Sequence, residues 1–225
     1  MGGALIFPIP TGNVAEHIFA LKRDGFEFVL VDRYFEDIAT PCVVVDNYRG
    51  GYEGAQHLAL SRRRVAWIGE SRSTPARQRL EGFRTALNDA GVACPSALIK
   101  NVEVSPDAPK HYHLAQREAV WAAIDELMTL QPPIDGLACS DDFNALSALE
   151  RLQHLGMKVP EQVAVIGFDD IPAATTSSPP LTTIRQPMKQ LGREAASMLL
   201  ERLKDKKLPI RRQTLPIELI VRESA

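Results

Sequence analysis

The sequence lacks the features that mark secreted and membrane proteins. It has only three cysteines, Cys42, Cys94 and Cys139, with no CxxC spacing, which favours reduced thiols in a cytosolic protein over disulfides. It has no run of about 18 apolar residues that could span a bilayer. The start, MGGALIFPIP, lacks the charged region and the long apolar region of a secretory signal. We therefore expect a cytoplasmic protein that does not contact a membrane.

An excess of charge and the signatures of catalysis are missing as well. The 26 basic and 28 acidic residues give a formal net charge of -2, so this chain has no strongly basic surface with which to bind nucleic acid. There is no GxSxG elbow, no GxxxxGK[ST] phosphate loop, no GxGxxG after a strand and no HExxH. These absences favour a binding protein over an enzyme.

The sequence does contain a regular alternation of short apolar runs and amphipathic helices. Runs such as FVLV, VAWIG and VAVIG are continuous, which is typical of strands covered by helices on both faces. One helix pattern covers residues 76–90 and stops at Gly91, a second begins at Asp142 and stops at Gly156, and a third begins at Pro187. With 45% hydrophobic residues, we predict an α/β fold with a mostly parallel sheet, as one large domain or two lobes.

Aspartates stand at the ends of several predicted strands. Asp32, Asp46, Asp142 and Asp169 each follow an apolar run, and the carboxyl ends of parallel strands line the crevice where open α/β sheets hold small ligands. We therefore expect these four side chains to meet near one rim and to bind the hydroxyl groups of a sugar or the amine of a base. Asp142 also begins a helix, so an N-cap role is an equally good interpretation of that residue.

Arg79 is the cation best placed to join such a site. It lies early in the 76–90 helix, and the run RLEGF places Gly82 and Phe83 directly behind it. An arginine on this inward face needs an acidic or oxygen-rich partner, which the aspartates or a ligand could supply. Arg77, by contrast, is expected on the solvated face of the same helix.

Two histidines, His111 and His113, flank Tyr112 in a segment that interrupts the regular alternation. Two histidines without a third ligand make a poor metal site, so we predict neither a metal nor another cofactor. Tyr112 and His113 are instead candidates to stack on a ligand. A second irregular segment, Ile171–Gln186, is predicted to be a long structured loop, because it is rich in proline, serine and threonine.

Several motifs follow one another in order over nearly the whole chain: FVLVDR, VVVDNYRGGYEGAQHL, RRVAWIGE, RLEGF, SDDFNALSAL, GMKVPEQVAVIGFDD, PPLTTIRQP and IVRES. Together they resemble the effector-binding core of the LacI/GalR family of bacterial transcription regulators. The resemblance implies a two-lobed periplasmic-binding-protein-like fold, with parallel sheets flanked by helices and a small molecule in the cleft between the lobes. It assigns residues 1–45 and 188–215 to the N-terminal lobe, and residues 46–187 and 216–225 to the C-terminal lobe.

The same resemblance implies a set of ligand contacts and an effector class. The residues at matching positions are Asp142, Arg79, Asp32, Asp46, Gln186, Tyr112 and His113. Effectors in the family are most often sugars and sometimes purines, and we expect a sugar. We also expect a homodimer that uses helices of both lobes.

The chain departs from the family pattern at its start. Family members begin with a helix-turn-helix headpiece and two strand-helix units, whereas this sequence starts after both. We therefore expect an incomplete N-terminal lobe and expect operator DNA to be bound only through a headpiece that this chain does not contain. The predicted function is the effector-sensing and dimerisation domain of a LacI-type regulator. The alternatives are a solute-binding protein of a sugar transport system, which shares the fold, and an α/β enzyme acting on a sugar.

Overall fold

The computed structural model describes residues 2–9, 13–102 and 112–225, with only the backbone of Tyr112 included. The chain divides into two compact units, each built from three separate stretches of sequence. Unit 1 comprises Met1–Asp46, Arg72–Pro75 and Pro187–Pro216, and unit 2 comprises Asn47–Ser71, Ala76–Gln186 and Ile217–Ala225.

The described residues contain ten strands and seven α-helices. The strands are β1 (Gly3–Ile6), β2 (Glu27–Val31), β3 (Cys42–Val45), β4 (Val65–Gly69), β5 (Ile99–Asn101), β6 (Gly136–Cys139), β7 (Ala164–Asp169), β8 (Thr182–Arg185), β9 (Arg212–Leu215) and β10 (Glu218–Ile220). The helices are α1 (Val14–Arg23), α2 (Asn47–Ala59), α3 (Thr74–Asp89), α4 (Tyr112–Thr129), α5 (Asp142–His154), α6 (Pro172–Thr176) and α7 (Met188–Lys204).

Unit 1 is built on a four-stranded sheet in the order β1-β2-β3-β9. All of its neighbouring strands are parallel. Strand β3 is buried along its whole length, and Ile18 of α1 packs with Phe28 and Leu30 of β2 in the core of this unit. Helix α7 adds Leu191, Ala195 and Met198 as its buried stripe, which is the face that its helical spacing predicts.

Unit 2 is built on a six-stranded sheet in the order β10-β8-β7-β6-β4-β5. Its strands are parallel except for β10, which runs antiparallel to β8. Along β4 the side chains alternate: Val65 and Trp67 pack with α2 and α3 on one face, and Ala66 and Ile68 pack with α4 and α5 on the other. Strands β4 and β6 are buried along their whole length, as expected for a parallel sheet covered on both faces, and this confirms the predicted α/β class.

The segment predicted as a long loop, Ile171–Gln186, contains regular structure, so that prediction is wrong. It holds helix α6 and strand β8, and β8 pairs with β7 on one side and β10 on the other. The run TTIR is too short and too polar for a strand to be predicted from it alone. These residues form a strand because they pair with β7 and β10. The other irregular segment, Asn101–His113, lies largely outside the described residues.

Helices α2 and α3 approach so closely that their backbones meet at two glycines. A Cβ atom added at Gly51 would lie 2.0 Å from the carbonyl oxygen of Arg79, and one added at Gly82 would lie 2.0 Å from that of Tyr48. Only glycine fits at such a contact. The two glycines therefore set how α3 lies against α2, and with it the position of the Arg79 side chain.

Candidate functional site

The N-cap of helix α5 is Asp141. Its backbone is extended, with φ -156° and ψ 168°, and its Oδ1 accepts a hydrogen bond of 2.9 Å from the Asn144 amide nitrogen. Its Oδ2 accepts from the Ser140 hydroxyl and from Asn144 Nδ2, each at 2.8 Å. The N-cap interpretation of Asp142 is therefore wrong, because the preceding residue fills that role.

Asp142 is completely buried, at 0% exposure. Its Oδ1 accepts from the Thr183 hydroxyl at 2.5 Å, and its Oδ2 accepts from the Ile171 amide nitrogen at 2.9 Å. Burial raises the pKa of its carboxyl to about 6, although these two hydrogen bonds lower it in part. The carboxyl group thus joins α5 to β8 and to the turn after β7, and its contact with a ligand stays a prediction.

Arg79 faces inward, as its place in the RLEGF run predicts, and is only 6% exposed. Its Nε donates to Asn47 Oδ1 at 2.8 Å, and its Nη1 donates to the Ser140 carbonyl at 2.6 Å. The guanidinium carbon lies 3.5 Å from the centroid of the Phe168 ring, and Nη1 lies 3.6 Å from Asp169 Oδ1. Stacking and the planar fork of donors fix this side chain in one orientation.

Asp169 ends strand β7 beside this guanidinium. Its Oδ1 accepts a hydrogen bond of 2.6 Å from Gln186 Nε2, and 27% of its side chain remains exposed. Burial is the main cause that raises the pKa of its carboxyl to about 7; nearby Asp141 and Asp142 raise it further, and Arg79 and Gln186 lower it. At neutral pH this carboxyl is therefore populated in both its neutral and its ionised form.

Gln186 supplies an acceptor to the same place. It directly follows β8 and is 8% exposed. Its Oε1 is buried and accepts no hydrogen bond from the part of the chain that the structure describes. A buried oxygen of this kind normally has a partner, so Oε1 is a natural acceptor for a ligand or a water molecule.

We call Arg79, Asn47, Phe168, Asp169 and Gln186 the Arg79 cluster. It lies at the carboxyl edge of the unit 2 sheet, where β7 and β8 run parallel and Asp169 pairs with Arg185 in register. Asn47 and Phe168 are not among the site residues predicted from the sequence. The available signals were that Asn47 comes directly after Asp46, where α2 begins, and that Phe168 directly precedes the terminal aspartate of β7.

Asp32 and Asp46 lie in unit 1. Asp32 follows β2 with φ 72°, and its Oδ2 accepts a hydrogen bond of 3.1 Å from Arg33 Nε. Asp46 follows β3, and its backbone nitrogen donates to the Leu215 carbonyl at 3.0 Å. Because β2 and β3 are parallel neighbours, these two aspartates share one edge of the unit 1 sheet. That all four predicted aspartates bind one ligand stays a prediction.

The histidine segment contributes little that can be described. His111 and the side chain of Tyr112 lie outside the described residues. His113 is exposed at the start of α4, with its ring centroid 5.7 Å from that of Phe143.

Within residues 2–9, 13–102 and 112–225, no group of three or more histidine, cysteine, aspartate or glutamate side chains could hold a metal ion. None of the helices in this part of the chain has the length and apolar character needed to cross a membrane.

Sequence comparisons place the chain among bacterial regulators. The model of the periplasmic binding protein-like domain family matches residues 55–225. The HTH-type transcriptional regulator GntR of Pseudomonas aeruginosa is 37% identical over 81% of this chain and 51% of its own length. The ribose operon repressor of Halalkalibacterium halodurans is 31% identical, over 87% and 55% respectively. The chain thus spans about half the length of the curated relatives it matches.

Solved structures are similar over almost all of this chain. A complex of the transcriptional regulator CelR with cellobiose has a TM-score of 0.86 and 29% identity, over 99% of this chain and 65% of that one. A LacI family transcriptional regulator from Enterococcus faecalis with bound ribose has a TM-score of 0.81 and 26% identity, over 100% and 78%.

Proposed function

Because this chain belongs to the LacI/GalR family of transcription regulators and carries its periplasmic-binding-protein-like domain, we propose that it senses a small polar effector and forms the dimer of such a regulator. The relatives are transcription regulators rather than enzymes or transport components. We assign no DNA contact to the chain itself, whose formal net charge is -2. The proposed location is the cytoplasm, where a regulator meets both its effector and its operator.

The Arg79 cluster is the observation that carries this proposal. It combines a buried guanidinium, a partly exposed carboxyl at Asp169 and an unsatisfied acceptor at Gln186. Alternating donors and acceptors at the carboxyl edge of a parallel sheet suit a small polar ligand. A carboxylate can accept from two neighbouring hydroxyl groups, and each such charge-assisted bond contributes about 1.5–3 kcal/mol.

The surroundings of Phe168 favour a sugar over a purine. A purine is usually bound by stacking on an aromatic ring, but the Arg79 guanidinium already lies over the Phe168 ring at 3.5 Å. On the side of Gly50 there is no room either, since a Cβ added there would be 2.5 Å from the ring. The polar groups of the cluster are therefore what a ligand would contact, and the related structures hold cellobiose and ribose.

An effector can act on a regulator only if it binds two of its conformations with different affinity. A ligand held by groups from several elements, here α2, α3, β7 and the residue after β8, would favour the conformation in which those groups lie together. The further contacts predicted from the sequence are part of this proposal and rest on the resemblance; they are Asp142, Asp32, Asp46, Tyr112 and His113.

A thermal-shift screen tests the proposal with cellobiose, ribose, other neutral sugars, sugar phosphates and purines. A ligand at 100 times its Kd should stabilise the protein by about 2.7 kcal/mol, which corresponds to roughly 5–10 °C in Tm for a chain of this size. Arg79→Ala should abolish the shift, whereas Arg77→Ala, an exposed position on the same helix, should retain it. A shift produced only by purines, or one that survives Arg79→Ala, would contradict the proposed site and effector class.

A further inference from the structure

The backbone is unusual at two successive residues, the last residue of β7 and the first residue of the turn that follows it. Asp169 has φ 117° and Asp170 has φ 56°, and L-residues rarely adopt such values unless their surroundings hold them there. Because the backbone at Asp169 sets where its side chain points, this turn decides whether the carboxyl reaches Gln186 and Arg79.

The Asp170 carboxylate is held by two arginines. Its Oδ1 accepts from Arg222 Nη2 at 2.6 Å, and its Oδ2 accepts from Arg185 Nε at 2.7 Å. Burial would raise the pKa of this carboxyl, but the hydrogen bonds and charges of the two arginines outweigh burial and lower it. Only 9% of the Asp170 side chain is exposed, so the ion pairs are shielded from water on the aspartate side.

Arg222 is the more firmly anchored of the two arginines. Its side chain is 14% exposed, against 46% for Arg185. Its backbone nitrogen donates to the Thr182 hydroxyl at 2.9 Å, and its Nη1 donates to the Leu181 carbonyl at 2.7 Å.

The C-terminal segment around Arg222 is itself fixed between β7 and β8. The Ser224 hydroxyl donates to the Val165 carbonyl at 2.6 Å and accepts from the Thr182 amide nitrogen at 2.8 Å. The Val165 amide nitrogen in turn donates to the Ser224 carbonyl at 2.7 Å. These hydrogen bonds hold the segment that carries Arg222 in place beside the turn.

The other side of the turn is held by Asp142, whose carboxyl accepts from the Ile171 amide nitrogen. The turn is therefore fixed on both flanks of Asp170, by a side chain of α5 and by a side chain of the C-terminal segment. Neither Arg222 nor Asp170 belongs to the Arg79 cluster. Asp170, however, directly follows Asp169 of that cluster, and Arg222 binds Asp170.

We propose that Arg222 is a positioning residue of the ligand site: it holds Asp170, and so the left-handed backbone that directs Asp169 at Gln186 and Arg79. The role in ligand binding rests on the proposed function, but the effect on the turn can be measured without a ligand. Arg222 acts through Asp170 and does not itself contact the effector.

Hydrogen exchange of the Ile171 amide and the NMR signal of the Gln186 side-chain amide test the effect on the turn. In Arg222→Gln, exchange at Ile171 should accelerate by about tenfold or more relative to the rest of β7, and the Gln186 signal should move. Arg222→Lys, which keeps the charge but loses the fork of donors, should lie between this variant and the wild type. If Arg222→Gln does not fold, Arg222→Lys and Asp170→Asn give the same comparison.

Arg202→Gln is the matched control. Arg202 pairs with Glu27 in unit 1 at 2.9 Å, with exposures of 13% and 11% for the two side chains, close to the 14% and 9% of Arg222 and Asp170. The Arg202→Gln substitution should lower Tm without changing the hydrogen exchange of the Ile171 amide or the NMR signal of the Gln186 side-chain amide. If Arg222→Gln also lowers Tm and leaves both signals unchanged, Arg222 is a general stabilising residue and the proposal fails.

Calorimetric titration with cellobiose and with ribose measures the consequence for binding. For a sugar that binds the wild type, Kd should rise by about tenfold in Arg222→Gln, or about 1.4 kcal/mol. Adding Arg222→Gln to Asp170→Asn should weaken binding no further than Asp170→Asn alone, because Arg222 acts through Asp170. If neither sugar binds the wild type, neither is the effector of this protein, and hydrogen exchange alone decides the role of Arg222.

Discussion

The backbone of Gly51 lies against the carbonyl group of Arg79, so closely that a Cβ atom at residue 51 would be 2.0 Å from the Arg79 oxygen. This contact joins α2 to α3 at the residue whose guanidinium forms the centre of the proposed ligand site. The contact between Gly51 and Arg79 therefore sets both how α2 packs against α3 and where the Arg79 side chain lies.

Substitution of Gly51 should disturb both the packing of α2 against α3 and the position of Arg79. In Gly51→Ala the added methyl group meets backbone atoms, which cannot rotate away, so we expect a loss of about 2 kcal/mol or more in the free energy of unfolding. Urea unfolding measures the change. Gly192→Ala is the control, because a Cβ at this position in α7 has nothing within 4 Å, and replacing a helical glycine should stabilise by about 0.5–1 kcal/mol. Equal stabilities for the two variants would show that α2 and α3 do not touch as described.

Asp142→Ala should destabilise the protein even without a ligand. The substitution leaves the Ile171 amide and the Thr183 hydroxyl without their acceptor, and each buried unpaired group costs about 1–3 kcal/mol. Asp141→Asn keeps a side-chain oxygen that can cap α5 and weakens only the bonds to Oδ2, so it should cost only about 1 kcal/mol. Denaturant unfolding of both variants checks the ranking, and an Asp142→Ala variant as stable as the wild type would show that its carboxyl is not buried against these groups.

Stability should fall as pH rises towards neutrality, and Asp169 should carry much of this dependence. Its folded pKa of about 7 lies above the value of about 3.9 expected in the unfolded chain. Its contribution is therefore fully present below about pH 4 and is lost as pH rises through about 7. The folded pKa of Asp142 is about 6, so its contribution to stability is also lost as pH rises, through about 6 instead of about 7.

The measurement for this pH dependence is the free energy of unfolding of the wild type and of Asp169→Asn between pH 4 and 8. The wild type should lose about 1–3 kcal/mol more than the variant over this range. Parallel curves for the two proteins would mean that the carboxyl of Asp169 titrates near its ordinary value.

Removal of the Arg79 charge should raise the pKa of Asp169 further. The guanidinium lies 3.6 Å from the carboxyl and lowers its pKa, so Arg79→Met should shift the Asp169 titration to higher pH by roughly one unit. NMR titration of the carboxyl carbon measures this directly, with Arg77→Met as the control at an exposed position of the same helix. An unchanged titration in Arg79→Met would show that the two side chains do not interact in solution.

The parts of the fold that depend on local sequence could be predicted. The inner strands β4, β6 and β7 are continuous apolar runs, and α3 and α5 are followed by Gly91 and Gly156, whose φ values of 67° and 72° are those of helix stops. Strand β8 could not be predicted, because TTIR has no strong pattern and is a strand through its pairing with β7 and β10.

The sequence by itself determined that acids stand at strand ends and that Arg79 faces inward, because both follow from spacing within a few residues. Only the tertiary structure decided which of two adjacent aspartates caps α5 and which is buried. The partners of Asp142 are Ile171 and Thr183, 29 and 41 residues away, and Asp170 meets Arg222 across 52 residues. Such contacts form only when strands distant in sequence pair in one register, and no short window of sequence contains that information.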